Sequence, residues 1–465
     1  MKEVKNVAVI LAGGKGTRSG FNKPKQMMKL AGRPVLEHVA KAFQANNSID
    51  EILIVANADC IADIEQVVMA SRLSKVKSVI NGGTERYDSS LAAIKATKHL
   101  CKSFNVQLIF HDAVRPLLSQ KIIDDVISAL DRYNAVDVVI RTTDTIIMAD
   151  PVTNTISSIP NRALLRNGQT PQAFSHETIE AAYDLALKDP GFVTTDDCGV
   201  VLKYLPDEKI YLVEGDTSNM KLTYEEDLHV LDKLCQLRST LVESEEKIHF
   251  ALSTLKDKVL VIFGGTSGIG AEMARIAEAY QATAVVAGTS NGVDITSVDS
   301  IRDVLDAAKS DYGHIDYIVN SAGVLHRQPL IDMAPSDISS AIQINYIGAV
   351  NVALVAFDYL RASKGQLLNF TSSSYTYGRA MYSLYSSSKA AIVNLTQALA
   401  DEWHSQGVHV NCINPERTAT PMRTRAFGSE PADSLLTARE VAEKSLLVLL
   451  SDYTGQIFDV KRTKR

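Results

Sequence analysis

The 465 residues are 46% hydrophobic and 22% charged, with 25 Gly and 13 Pro. At roughly 100–200 residues per domain, that length predicts two to four domains, each with enough chain for its own core. The 48 Lys and Arg against 54 Asp and Glu leave a formal charge of −6, which argues against a generic polyanion or nucleic-acid binder but allows a local basic pocket.

Cys60, Cys101, Cys198, Cys235 and Cys412 are scattered, with no CxxC pair or Cys/His cluster. They read as reduced thiols of a cytoplasmic protein rather than a disulfide framework or a zinc site. Apolar residues 7–12 are too short for a signal peptide and lead into a glycine loop, so they predict a first strand. No unbroken run of about 18 apolar residues stands out, so no membrane span is expected.

Residues 7–11, 51–56, 106–110 and 135–140 read as buried strands, and 35–45, 61–72 and 89–100 carry helical spacing. This alternation predicts a parallel sheet with helices on both faces. Residues 224–256 contain neither Gly nor Pro and place leucines near helical spacing, predicting one long helix or two shorter ones. A second series follows, with strands at 259–263, 282–287, 317–319 and 365–371 and helices at 271–280 and 389–402. The expected fold class is α/β: two Rossmann-like three-layer αβα domains, at residues 1–235 and 257–465, joined by a helical linker at 236–256.

The first strand runs into Leu11, Ala12, Gly13, Gly14 and Lys15, with Arg18 and Lys25 shortly after. The glycines let backbone N–H groups approach a triphosphate, and the three cations supply the charge that a departing pyrophosphate needs. No GKS or GKT follows, so this is not a Walker A loop. Four further segments accompany it: Gly82-Gly83-Thr84-Glu85-Arg86-Tyr87-Asp88-Ser89, His111-Asp112-Ala113-Val114-Arg115-Pro116, Arg162 ahead of Thr170-Pro171-Gln172, and Asn219-Met220-Lys221-Leu222-Thr223.

Over most of residues 4–235 these motifs resemble the cytidylyltransferases of the IspD/TarI type, which join CTP to a sugar or polyol phosphate. The resemblance implies a nucleotidyltransferase fold that binds CTP through Leu11, Ala12, Gly13, Gly14, Lys15, Gly82, Gly83, Arg86, Ser89 and Asp112. It implies Mg2+ on Asp112, a substrate phosphate on Arg162, and Lys25, Arg18 and Lys221 stabilising the displacement. Asp216 reads equally as a second metal ligand or a turn residue. Leu11-Ala12-Gly13-Gly14 stands where many members show Ala-Ala-Gly, which is compatible with the ribitol-type branch. A phosphomonoester oxygen attacking the α-phosphorus needs no protein nucleophile, so positioning and neutralisation supply the rate.

In the second half, Gly264-Gly265-Thr266-Ser267-Gly268-Ile269-Gly270 follows a strand and opens a helix, which suits a dinucleotide pyrophosphate. Asn320-Ser321-Ala322-Gly323, Asn345, Ser372, Tyr385 and Lys389 follow in order, and the YxxxK spacing puts Tyr385 and Lys389 on one helix face. Over residues 257 to about 460 this set resembles the short-chain dehydrogenase/reductase family.

The resemblance implies Tyr385 as proton donor, Lys389 sharpening it and binding the nicotinamide ribose, Ser372 on the substrate oxygen and Asn345 holding a relay water. It implies cofactor contacts at Gly264, Ser267, Gly268, Ile269, Gly270, Thr289, Asp294, Asn320, Ala322, Gly323 and Thr420. Val286-Ala287-Gly288-Thr289-Ser290 carries no acid where NAD-preferring relatives hold the ribose 2′-hydroxyl, so NADPH is favoured. Pro415-Glu416 replaces the family's Pro-Gly. Residues 422–436 read as a substrate lid, with Arg423 and Arg425 as candidate phosphate ligands.

The whole chain resembles the bifunctional ribulose-5-phosphate reductase/CDP-ribitol pyrophosphorylases of bacterial capsule synthesis. That implies reduction of D-ribulose 5-phosphate with NADPH, then transfer of CMP from CTP to the D-ribitol 5-phosphate, for capsule or wall polysaccharide. Two alternatives stand beside it: a methylerythritol-phosphate cytidylyltransferase fused to a reductase of other or lost activity, and a second half serving only dimerisation. Both families commonly self-associate, so a homodimer or larger homo-oligomer is expected, with no nucleic-acid or membrane partner.

Overall fold

In the computed structural model, which describes residues 2–14, 24–83, 85–238 and 245–462, the chain divides into units Met1–Asp232 and Lys233–Arg465. Lys15 and Arg18 lie outside the described residues.

The first strand, Val4–Ala12, is buried from Val7 onward. Ala8, Ile10 and Ala12 join one apolar cluster while Val7, Val9 and Leu11 join another, the alternation of a strand covered on both faces. Seven strands make the first unit's sheet, in the order Ile210–Glu214, Ala135–Arg141, Arg166–Ser175, Asn105–Asp112, Val4–Ala12, Glu51–Ala56, Val76–Asn81. Arg166–Ser175 pairs antiparallel with both neighbours, so the sheet is mixed rather than all parallel. Its sequence, RNGQTPQAFS, has no aliphatic run and carries Gly and Pro, so it gives no strand signal. The helix expected at 89–100 begins earlier, at Arg86, because Glu85 and Asp88 form a reciprocal capping box at its start.

The second unit has six strands, all parallel, in the order Thr283–Ala287, Val259–Phe263, Tyr317–Asn320, Gln366–Phe370, His409–Pro415, Ile457–Val460. The order reverses beside Val259–Phe263, and in such sheets ligands bind outside the carboxyl ends of the strands at that reversal.

Residues 224–256 form two helices, Glu226–Arg238 and Glu245–Ser253. Leu252 and Leu255 are buried in the second unit's core, so this stretch is not a free linker. One helical run, Pro335–Ser363, is long and apolar enough to cross a membrane by length and composition, with a mean hydropathy of 1.5, although no unbroken apolar run marked it in the sequence. Val352, Ala353, Val355, Ala356 and Leu360 from this run are buried in the second unit's core.

Two candidate active sites

Parallel pairing sets Leu11 directly opposite Asp112, so the first loop and the Asp112 carboxylate emerge at the same sheet edge. Asp112 Oδ2 lies 2.9 Å from Lys221 Nζ and 3.6 Å from Arg115 Nε, and Oδ1 lies 3.8 Å from Arg86 Nε. Burial by itself raises the pKa of Asp112, but the charges of Lys221, Arg86 and Arg115 outweigh it and hold the group well below the usual carboxylate range. Lys25 donates to the carbonyl of Thr223, two residues after Lys221. Burial, and then the neighbouring Lys221 charge, lower its pKa. Lys25, Lys221, Arg86 and Asp112 therefore share one cationic centre.

Ser89, one turn along the helix from Arg86, brings the two glycine segments together. A β-carbon at Gly13 would stand 2.9 Å from Ser89 Oγ, and one at Gly82 only 2.5 Å. A β-carbon at Gly83 would press closer still on the Asp88 side chain. The carbonyl of Ala12 accepts from the buried Gln26 amide at 2.9 Å, which anchors the loop's start.

Arg162 and Asp216 make local contacts. Arg162 sits on the exposed turn Arg162–Leu164 and donates to the Thr143 carbonyl at 2.9 Å. No hydrogen bond or ion pair among the described residues joins it to Asp112, Lys221 or Lys25. The Asp216 carboxylate accepts from the Ser218 N–H at 2.8 Å and hydroxyl at 2.6 Å, the geometry of a turn residue. No group of three or more His, Cys, Asp or Glu suited to a metal occurs among the described residues.

Sequence reasoning missed the support beneath the centre. Asp197, fully buried, accepts from Arg86 Nη1 at 2.6 Å and from the Tyr183 hydroxyl at 2.7 Å. Burial lowers the pKa of Arg86, yet Asp197 and then Asp112 together raise it above its ordinary value. His111 is buried between the Thr170 hydroxyl (2.9 Å) and the Arg115 carbonyl (3.1 Å), and burial pushes it down to about 4, so it is neutral and positions its neighbours. The adjacent acids Asp196-Asp197 at a helix start were the available signal.

In the second unit Gly264, Ser267, Gly268, Ile269, Gly270, Thr289, Asp294, Ala322, Gly323, Ser372, Tyr385, Lys389 and Thr420 line one cavity of about 740 Å³. Gly264 has φ +78°, and a β-carbon there would lie 2.5 Å from the Ala322 nitrogen and 2.7 Å from its Cα. Only glycine fits, because the obstacle is backbone. Asn320 is buried and is not among the lining residues. The Asp294 carboxylate accepts from Thr296 N–H and hydroxyl at 2.9 and 2.8 Å.

Helix Ser383–Trp403 carries both Tyr385 and Lys389. Lys389 Nζ lies 5.6 Å from the centre of the Tyr385 ring and donates to the Phe370 carbonyl at 2.9 Å. Burial pushes the Tyr385 phenol up to about 12, with the hydrogen bond to Ser372 acting against it. Burial also lowers Lys389 to about 8. At neutral pH Tyr385 keeps its proton, which is what a proton donor to a carbonyl requires.

Asn345 sits in a π-helical turn, Gln343–Ile347. Its side-chain oxygen accepts from the Val324 N–H at 2.8 Å and its amide nitrogen donates to the Val324 carbonyl at 2.9 Å, which fixes the loop bearing Gly323 beside Lys389.

These shifts set a pH profile. Lys389 loses its charge as pH rises through about 8, while Tyr385 stays protonated to about 12. Because kcat/KM reports the free enzyme, its value for reduction is expected to fall on the alkaline side with a midpoint near 8. A steady-state profile that stays flat from about pH 7 to about pH 10 overturns the role given to Lys389.

Comparison with known proteins places both halves. The model of the 2-C-methyl-D-erythritol 4-phosphate cytidylyltransferase family matches residues 6–236, and that of the short chain dehydrogenase family matches 258–430. A ribitol-5-phosphate cytidylyltransferase of Lactiplantibacillus plantarum is 33% identical over 50% of this chain and 99% of that protein. A solved 4-diphosphocytidyl-2C-methyl-D-erythritol synthase from Anaerococcus prevotii is 29% identical, covering 50% of this chain and 96% of its own, with a TM-score of 0.44. A bifunctional ribulose 5-phosphate reductase/CDP-ribitol pyrophosphorylase of Haemophilus influenzae is 46% identical over 99% of this chain and 96% of that protein. A likeness that runs through both halves makes this chain a member of the bifunctional ribulose 5-phosphate reductase/CDP-ribitol pyrophosphorylase family.

Proposed function

We propose that the chain reduces D-ribulose 5-phosphate to D-ribitol 5-phosphate with NADPH and then transfers CMP from CTP to that product, releasing pyrophosphate and CDP-ribitol. The observation that carries the reading is the pairing, on one polypeptide, of a cavity holding Ser372, Tyr385 and Lys389 with a centre where Lys25, Lys221 and Arg86 surround Asp112.

In the reductase, the Ser372 hydroxyl holds the ketone oxygen and the Tyr385 phenol gives it a proton as the carbonyl carbon is reduced. A bound nicotinamide supplies the hydride. The glycine cradle, where a β-carbon at Gly270 would lie 2.6 Å from the Gly264 carbonyl, fits a dinucleotide pyrophosphate held close to backbone. Thr289, at the end of strand Thr283–Ala287 with no acid beside it, fits a 2′-phosphate.

In the transferase, the pentitol phosphate oxygen bonds to the α-phosphorus as the bond to pyrophosphate breaks. Lys25 and Lys221 face the charge that builds on the phosphoryl oxygens. Asp112 is held ionised, and its Oδ1 accepts no hydrogen bond among the described residues. It therefore fits as the one protein carboxylate of a magnesium ion carried mainly by phosphate oxygens, an ion that would neutralise the triphosphate.

Exposed Ile146, Ile147, Met148, Val152, Ile156 and Ile159 on and around the arm Met148–Ala149/Ile156–Ser158 support a homodimer. The cysteines, all free thiols, support a cytoplasmic location. The purified protein given ribulose 5-phosphate, NADPH, CTP and Mg2+ is expected to consume NADPH and form CDP-ribitol in equal amounts. NADPH oxidation with no CDP-pentitol, or preference for methylerythritol 4-phosphate over ribitol 5-phosphate, overturns the coupled reading.

A further inference from the structure

The reductase cavity carries more positive charge than carbonyl reduction uses. Five lysines and arginines line it among the described residues: Arg379, Lys389, Arg417, Arg423 and Arg425. Lys389 is committed to Phe370 and the Tyr385 face. Arg423 is closed onto Glu430, Nε to Oε2 at 2.6 Å and Nη2 to Oε1 at 2.8 Å, with its guanidinium 4.4 Å from the Phe427 ring centre. Arg417 lies within charge range of the same Glu430.

Arg379 and Arg425, unlike Arg423, form no ion pair among the described residues. The Arg379 Nε is withdrawn from water with no acceptor, and its guanidinium lies 4.7 Å from the Tyr377 ring centre. A buried guanidinium nitrogen without an acceptor is costly to leave unmade, and a phosphate oxygen is the acceptor that fits its fork. Arg379 also sits on the segment joining Ser372 to Tyr385, so the chain that holds the reacting carbonyl carries a cation at a short remove. Tyr382 lines the same cavity, with its ring centre 6.5 Å from that of Tyr385 and 5.9 Å from that of Phe427.

We propose that Arg379, assisted by Arg425 in the last turn of helix Pro421–Phe427, is the subsite for the phosphate of the ketose substrate, and that Arg423 is instead the pin that fastens the segment 421–436 through Glu430. This rests on the preceding reading that the substrate is a phosphorylated ketose. It replaces the expectation that Arg423 and Arg425 bind that phosphate together.

The test compares D-ribulose 5-phosphate with unphosphorylated D-ribulose in the full-length protein. Arg379→Gln is expected to lower kcat/KM for the phosphorylated ketose by ~10- to 100-fold, mostly through KM, because one charge-assisted fork is lost. The same variant is expected to change kcat/KM for D-ribulose and the Kd for NADPH by no more than ~3-fold. Arg379→Lys is expected to recover part of the loss, and Arg425→Gln to show a smaller loss of the same selectivity. Equal losses on both ketoses mean that Arg379 only shapes the loop, and unchanged kinetics on ribulose 5-phosphate mean that it binds nothing; either result overturns the proposal. If the wild-type protein prefers the unphosphorylated ketose, the reading of the preceding section falls, and this one with it.

Discussion

Tyr385→Phe is expected to lower the kcat for ketose reduction by ~10²- to 10⁴-fold while the Kd for NADPH barely moves, since the phenolic oxygen alone is lost. The argument is one of proton supply. Burial keeps the phenol protonated to about 12, and its hydroxyl is the group hydrogen-bonded to Ser372. Its two polar neighbours are otherwise engaged: Lys389 Nζ is turned to the Phe370 carbonyl, and the Asn345 amide is paired with Val324. Cytidylyl transfer to supplied ribitol 5-phosphate gives an internal control, because its centre lies in a unit with separate apolar clusters. Loss of transfer along with reduction would mean a folding defect, and retained reduction would remove Tyr385 from the chemistry.

Asp112→Asn is expected to have the largest effect in the first unit. The amide keeps the shape but removes the charge that faces Lys221, Arg86 and Arg115. Transfer should fall by ~10²- to 10³-fold in kcat, the scale seen when one group aimed at developing charge is misplaced. Stability should fall as well, by roughly 3 kcal/mol, the low end for breaking a buried pair because Lys221 is about half exposed. The pH dependence follows from the lowered folded pKa of Asp112. Its contribution is fully present above the unfolded value, near 4, and in the wild type is lost only as the medium becomes more acidic than that. The variant should therefore show a flatter acid limb in urea unfolding. Wild-type transfer in Asp112→Asn would remove the carboxylate from the mechanism.

The strands read from aliphatic runs, such as Glu51–Ala56 and Val259–Phe263, were legible because both faces are buried and the signal needs no tertiary context. Arg166–Ser175 was not, since polar residues are accepted there only because its neighbours supply the ladder. Candidate site residues inside contiguous motifs, such as Asp112 and the Tyr385–Lys389 pair, were legible because the motifs around them resemble those of known families. Asp197 and Arg379 were not. Asp197 matters because the fold carries Arg86 to it across 111 positions, and Arg379 matters because its Nε is left without an acceptor, which no spacing rule encodes. The Arg423–Glu430 closure was equally invisible to spacing: the guanidinium is paired with an acid seven residues on.

Gly264 bears on how this protein can change over time. What stands where its side chain would go is the main chain of Ala322, and main chain cannot be exchanged by substituting its own residue. A mutation at codon 264 therefore has no simple suppressor at codon 322, unlike a steric conflict between two side chains, where shrinking one makes room for the other. Lineages can drift freely over the outer helices of the second unit, yet this crossing point is expected to stay invariant for as long as the dinucleotide cradle is in use.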